Sequence, residues 1–462
     1  MVAATSSPRA GAVRNPVSTR AIAVALIVVV VAAATAGLAR GAGAGRAAWL
    51  LPLMAAGAAG MAWLAIERFS LFVAAILVIR SALDAMKLSE EGTGVTDPAS
   101  LVSLAFLGAG MIWYLAQTRD DRQPASPLVA PLALLAIVGA FSTLAAANPA
   151  AGLVDTVKLM TVVVIILVLN DMVRTEREAR IVLYAVFLSA LAPLALAALQ
   201  FVTGSGLHYS GGFGRVRGTF NHPNPLAIYL TMMIIMGVAI FGHVRARLRV
   251  PLFVVLAAAG VVLLLTYTRS AWIATFAGLL VVGGIKGKKV VAVVGLSCVL
   301  VALFVPAVAA RFSDLETETT STGAAGNSLV WRFEFWQQAV DLNRNPVLGI
   351  GLSAVRSQVE EAKSPHNDFI RVYVETGLLG LAAYLWFLLR AAGITLRGLR
   401  DTEPGPYRSL VVGFAGVFAA FCILSLVSNV ITQLALLWYL AALAALATAA
   451  PRVAPRTITV RA

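Results

Sequence analysis

The sequence predicts an all-α integral membrane protein with about fourteen transmembrane helices. Three observations carry that prediction. Apolar residues make up 60% of the 462 positions and charged residues only 13%, with a mean hydropathy of +0.87, whereas the apolar share of a soluble domain is nearer half. Runs close to the roughly 20 residues that cross a bilayer recur from one end of the chain to the other. None of them shows the strict alternation of a barrel strand, and lipid offers the backbone no partners outside a helix.

The predicted spans are approximately 21–39, 47–66, 69–86, 98–117, 127–146, 151–170, 181–202, 225–242, 250–267, 270–285, 290–309, 374–394, 409–428 and 433–450. The first follows Arg9, Arg14 and Arg20 as in a signal peptide. Its apolar run is too long for a cleaved leader and reads as a retained anchor. Arg80 and Asp84 interrupt the third span, and Asp155 and Lys158 interrupt the sixth. Cys298 and Cys422 fall in mid-span, where a thiol acts as a small hydrophobe. No internal repeat is visible, which disfavours repeat-built transporter folds.

Basic residues are retained on the cytoplasmic side of short loops. With the N-terminus inside, Arg68, Arg119 and Arg122, Arg174 to Arg180, Arg245 to Arg249, Lys286 to Lys289, Arg390 to Arg408 and Arg452 to Arg461 all fall on inner segments. Arg40 and Arg46 run against this pattern. Both termini are therefore expected in the cytoplasm. The formal net charge of +14 reflects this bias plus attraction to anionic lipid, not nucleic-acid binding. Residues 1–309 then hold eleven spans, residues 310–366 form a long outer loop, and residues 367–462 hold the last three spans.

That orientation sends three polar interruptions to the exterior: "GRVRGTFNHPNP" (214–225), "TYTRSAW" (266–272) and the long loop. Arg80 with Asp84 and Asp155 with Lys158 lie near the same face. Ionisable groups at such depth are costly, so they serve function or pair to hold the bundle. The long loop is too short for a core of its own and should cap the membrane domain. Within it, a helix is expected from Asn327 or Ser328 with Leu329, Phe333, Trp336 and Val340 on one face, ended by Pro346. A second short helix is expected over about 353–362.

Ser364 and Pro365 match an N-cap and first helical position, which would put His366 in the first turn of the next helix. There the helix dipole would favour a neutral imidazole, the form a general base needs. The alternative is a polar residue at an interface. Asn367, Arg371 and Glu375 continue one helical stripe, so Glu375 can hold Arg371. Arg215, Arg217 and Arg269 stand in short turns between apolar segments, and guanidinium groups bind diphosphate oxygens bidentately. No paired acids with metal-ligand spacing occur on this face, so arginine rather than a metal is expected to hold any phosphate. No nucleotide-binding loop is present; "GGIKGKK" (283–289) lacks the spacing. An outward-facing transferase has no nucleotide pool and needs a donor already activated on a lipid carrier.

The segments "RGTFNHPNPLAIYL" (217–230), "TRSAWIA" (268–274), "WRFEFWQQAVDLNRNPVLGIGL" (331–352) and "HNDFIRVYVETGLLGLAAYL" (366–385) resemble, in order, the motifs of the bacterial O-antigen ligase and polymerase superfamily. The resemblance implies a metal-independent glycosyltransferase of the GT-C-like membrane class, without cofactor, on the outer face of the cytoplasmic membrane. Its donor would be a glycan on a polyprenyl diphosphate, and its acceptor a glycan or lipid-linked sugar. In that family a histidine matching His366 is the base, and arginines matching Arg215, Arg217 and Arg269 engage the diphosphate. Asn367, Arg371 and Glu375 would line the cavity. Arg80, Asp84, Asp155 and Lys158, by their place near the same face, and Arg332 in the loop helix are candidate supporting residues. A protein-acceptor oligosaccharyltransferase belongs to the same set. The competing class is a transporter or flippase for lipid-linked oligosaccharides, which would place polar groups near the bilayer midplane rather than at one face.

Overall fold

The computed structural model describes residues 50–86, 98–118, 120–144, 146, 149–210, 212–289, 291–293, 295–296, 328–358 and 365–454. The predicted span 21–39, most of 290–309, the loop 310–327 and the proposed cap Ser364 lie outside these. The described helices are α1 (Leu50–Glu67), α2 (Phe69–Leu83), α3 (Pro98–Ala116), α4 (Val129–Leu144), α5 (Pro149–Met172), α6 (Glu176–Leu188), α7 (Leu191–Thr203), α8 (Pro223–Ile240), α9 (Ala246–Leu265), α10 (Arg269–Lys286), α11 (Ser328–Asp341), α12 (Ala354–Gln358), α13 (Asp368–Asp401), α14 (Pro406–Val427) and α15 (Leu434–Val453). Contacts divide the chain into two units at Ala75 and Ile76, inside α2. The first holds α1 and the start of α2; everything below concerns the second.

The protein is an all-α, multi-pass membrane protein, and among the described residues eight helical segments are long and apolar enough to cross a bilayer. They are α3, α5, the pair α6–α7, α8, α9, α13, α14 and α15; α2 and α4 are apolar but shorter. The predicted span 181–202 is two helices, since Ser189 and Ala190 separate α6 from α7. Pro193 follows in the first turn of α7, where its missing N–H costs least. The chain is not helical throughout, because His208–Ser210 (β1) pairs antiparallel with Phe213–Arg215 (β2) in a short hairpin.

α8 and α15 form the centre, most of their residues being buried, whereas in α9 only Ala259, Val262 and Leu263 are. Hydroxyls stitch the central helices together. Tyr229 and Ser189 share a hydrogen bond of 2.6 Å, Ser81 donates to the Ser189 carbonyl at 2.6 Å, and Tyr439 donates to the Leu77 carbonyl at 2.7 Å. Each bond gives a polar group a partner that lipid cannot.

α13 is broken at Gly377, whose φ of 65° and ψ of −165° leave the helical region. The segment 346–351 runs across the break and takes up the backbone groups it frees. Leu378 N donates to the Pro346 carbonyl at 2.8 Å, while Ile350 N and Gly351 N donate to the carbonyls of Val374 and Glu375 at 3.0 and 2.9 Å. Ser142 of α4 adds a 2.6 Å bond to the Glu375 carbonyl. Only glycine fits at 349 and 377: a Cβ at Gly377 would overlap the Val347 carbonyl, and one at Gly349 the Glu375 carbonyl.

α11 starts where the sequence places it but buries a different face. Phe335 and Ala339 pack with Val355 and Val374, whereas Phe333 is 63% exposed and Val340 41%. Two apolar stripes compete on this helix, and contact with α12 and α13 selects the one that spacing did not favour. α12 ends at Gln358, and the rest of the expected 353–362 helix lies outside the described residues.

Replacing Gly377 with alanine forces a left-handed Cβ into the crossing strand. The expected cost is at least about 2 kcal/mol, visible as a lowered Tm of the detergent-solubilised protein.

Candidate functional site

The turns that precede α8, α10 and α13 come together and carry most of the predicted site residues. Arg215 closes the hairpin and is buried. Its Nε donates to the Thr266 carbonyl at 2.7 Å, and its Nη2 donates to Asn224 Oδ1 at 2.8 Å and Thr268 Oγ1 at 3.0 Å. These bonds tie the start of α8 to the turn between α9 and α10, so Arg215 sets the position of the neighbouring Arg269, the first residue of α10. The ring of Phe213 against that of Tyr267, centroids 4.7 Å apart, supports the same junction.

Arg217 is half-buried and stands on a turn held by Gln200. The Gln200 side-chain oxygen accepts from Arg217 N and Gly218 N at 3.0 and 2.9 Å, and its Nε2 donates to the Gly218 carbonyl at 3.0 Å. The Arg217 guanidinium turns back toward the Asn221 carbonyl at 3.4 Å. His222 caps α8, its Nδ1 accepting from Asn224 N at 3.1 Å. Burial, then the charges of His208, Arg215, His366 and Arg217, push the His222 imidazole down to about 3. His222 is therefore neutral with its proton on Nε2, and the histidines at 208 and 366 and both arginines act on one point.

α11 brings in another guanidinium. Burial and the charge of Arg269 lower the pKa of Arg332, so two like charges are held near one another. One turn further along α11, Trp336 Nε1 donates to the Pro365 carbonyl at 2.5 Å, which docks this helix beside His366.

His366 is not in the first turn of a helix. Asn367 is the N-cap, its Oδ1 accepting from Ile370 N at 3.1 Å, and the helix begins at Asp368. Asparagine is among the strongest N-caps, and it displaces the start three residues beyond the position that Ser364 and Pro365 suggested. His366 instead has φ of 51°, a left-handed conformation uncommon outside glycine and characteristic of functional sites. Tyr267 and Ser353 share that feature, with φ of 48° and 60°. The His366 Nδ1 lies 3.4 Å from Asn429 Nδ2.

One to two turns into α13 lies an ion network. Arg371 Nε pairs with Glu375 at 3.0 Å, its Nη2 lies 3.7 Å from Asp155, and Asp155 pairs with Lys158 at 2.7 Å. Ser353 donates to Asp155 as well. The pairs expected separately on two spans are thus one neutral cluster of two cations and two carboxylates, and it lines a gap of about 30 Å³. Lys158 also borders a larger cavity of about 270 Å³, whose wall includes Arg80, Asp84, Ser100 and Gln433. Arg80 and Asp84 pair with each other at 3.0 Å. Both line that cavity.

Three residues of this region escape a reading of the sequence. Gln200 was hidden at the end of an apolar run. Asp368 is fully buried and accepts from Ile431 N at 3.2 Å with each oxygen. Asn429 sits in "VSNVITQ" (427–433), whose polar character between two apolar spans is the signal that could have found it.

Residues 253–385 match the family model described as O-antigen ligase, and this supports membership of the O-antigen ligase/polymerase superfamily. The match takes in Arg269, Arg332, His366, Arg371 and Glu375; Arg215, Arg217 and Asn429 lie outside it. Comparison with curated proteins finds no match.

Two measurements check this geometry. Arg371→Leu strands the buried Glu375 carboxylate, while Asp155 keeps Lys158 and Ser353; it should cost about 3–5 kcal/mol in thermal unfolding, with part recovered by adding Glu375→Leu. The folded pKa of His222, about 3, lies below the ordinary value of 6.5, so the unfolded chain gains a proton that the folded one refuses. Stability should therefore fall as pH drops from 6.5 toward 3. His222→Asn, which keeps a capping oxygen, should flatten that fall.

Proposed function

We propose that this member of the O-antigen ligase/polymerase superfamily transfers a glycan from a polyprenyl diphosphate carrier to an acceptor sugar hydroxyl at the outer face of the cytoplasmic membrane. His366 Nε2 takes the proton of the acceptor hydroxyl. The hydroxyl oxygen bonds to the anomeric carbon as the bond from that carbon to the diphosphate oxygen breaks, with inversion. The polyprenyl diphosphate leaves with the electron pair.

Negative charge grows on the departing diphosphate, and fixed cations pre-aimed at that point are worth most there. Arg217 and Arg269 are assigned to it, and Arg332 joins them because two half-buried guanidinium groups held close together are relieved by an anion. Arg215 acts differently: its bonds to Thr266, Asn224 and Thr268 make it the residue that fixes the arginine-bearing turn. The ion network around Arg371 supports the start of α13 from below.

The observation that carries this reading is the junction at which Arg215 ties the start of α8 to the turn carrying Arg269, together with a His366 in a left-handed backbone conformation beside the docked helix of Arg332. General-base assistance contributes about 10²–10⁴-fold. His366→Asn keeps a residue that tolerates this backbone and should lower transfer in detergent by that factor, with an unchanged elution profile. Turnover near the parental rate would remove His366 from the mechanism. Arg269→Lys keeps the charge but loses the bidentate fork and should cut the rate by about tenfold or more. EDTA should leave the parental rate unchanged, since guanidinium groups take the place of a metal. Product formed in detergent also separates transfer from flipping, which needs a sealed bilayer.

A further inference from the structure

We propose that Asn429 is a positioning residue for His366: its side-chain oxygen accepts the Nδ1–H of the imidazole and so leaves Nε2 as the basic nitrogen. The inference rests on the reading of His366 as the base. It comes from the turn between α14 and α15, which that reading does not otherwise use.

As the amide stands, Asn429 Nδ2 is 3.4 Å from His366 Nδ1, at the long edge of a hydrogen bond. Its Oδ1 is buried with no hydrogen-bond partner among the described residues. Both features have one remedy. A half-turn of the amide exchanges two atoms of nearly equal size, brings Oδ1 to Nδ1–H, and gives the buried oxygen a donor without moving the backbone.

The choice decides the chemistry. A neutral imidazole carries one proton. If Nδ1 accepts from the amide, Nε2 holds that proton and has no lone pair for an acceptor hydroxyl. If Oδ1 accepts from Nδ1–H, Nε2 is free to take a proton, and the resulting imidazolium keeps its Nδ1–H on Oδ1.

The surrounding structure is built to hold the pair in register. Asp368, two residues after His366, accepts Ile431 N at 3.2 Å with both oxygens, and Ile431 is two residues after Asn429. The Tyr384 hydroxyl, behind Asp368 at 3.4 Å, donates to Ser425 of α14 at 2.9 Å. The two chain segments are thus clamped one step beyond the residues that must meet. His366 itself has a left-handed backbone, and Asn367 caps the helix that follows.

With four histidines in the chain, protein labelled with 15N-histidine and held in lipid nanodiscs gives a resolvable ring spectrum, in which the His366 signals are those lost in His366→Asn. The expected result is a protonated, pyrrole-type Nδ1 and a pyridine-type Nε2. In Asn429→Leu, which keeps the bulk, the protonated population should move to Nε2. A wild-type His366 with pyridine-type Nδ1 overturns the proposal, whatever the activity, so this failure is distinct from failure of the base assignment. In the transfer assay with polyprenyl diphosphate-linked glycan, Asn429→Leu should lower kcat by about 10–100-fold with KM for the donor within about twofold. Asn429→Asp retains an acceptor and should recover kcat to within about threefold. If the Leu and Asp variants lose kcat equally, or lose it through KM alone, Asn429 has only a structural role.

Discussion

The crossing of residues 346–351 over the break in α13 is the constraint on which the rest of the structure depends. A helix broken within a membrane bundle exposes carbonyls and amides that lipid cannot satisfy. Here Pro346, Ile350 and Gly351 supply the partners for Val374, Glu375 and Leu378. Two backbones can approach that closely only where Gly349 and Gly377 omit their side chains. The crossing fixes Ser353, immediately downstream, against Asp155 of α5, and the Asp155 carboxylate in turn lies within 3.7 Å of Arg371. The N-terminal half of α13 is thereby locked at both ends, by the crossing below and by Asn367 and Asp368 above.

Two kinds of arginine result. Arg371 lies inside the lock, matched to Glu375 and Asp155, and is part of what makes the break affordable. Arg269 and Arg332 lie outside that lock, where burial and the charge of Arg269 act on the Arg332 guanidinium, and Arg217 stands on the turn held by Gln200. Arg215 belongs between the two groups. Its guanidinium is engaged with the turn that carries Arg269 and with the start of α8, so its hydrogen bonds hold the scaffold.

The family resemblance read from the motifs is supported by the match over residues 253–385, and the predominantly helical membrane character follows from composition. Local pairs were also legible: Glu375 with Arg371, Lys158 with Asp155 and Asp84 with Arg80 form at 3.0, 2.7 and 3.0 Å, because spacings of three or four residues on a helix leave side chains no nearer neighbour. The start of α13 was misplaced, since Ser-Pro and Asn-Asp both read as caps and only the folded chain chose between them. The buried face of α11 was misread for a similar reason, with aromatic residues at both 333 and 335.

What the sequence determined by itself is whatever depends on composition and near neighbours: a helical chain in lipid, its ion pairs within single helices, and the order of its motifs. What the tertiary structure decided is every contact made across long separations. Asn429 meets His366 from 63 positions away, Arg215 meets Thr268 from 53, and Arg371 reaches Asp155 from another helix altogether. Such contacts leave no periodicity in the chain, because their geometry is set by how helices pack and by where two glycines let one backbone cross another.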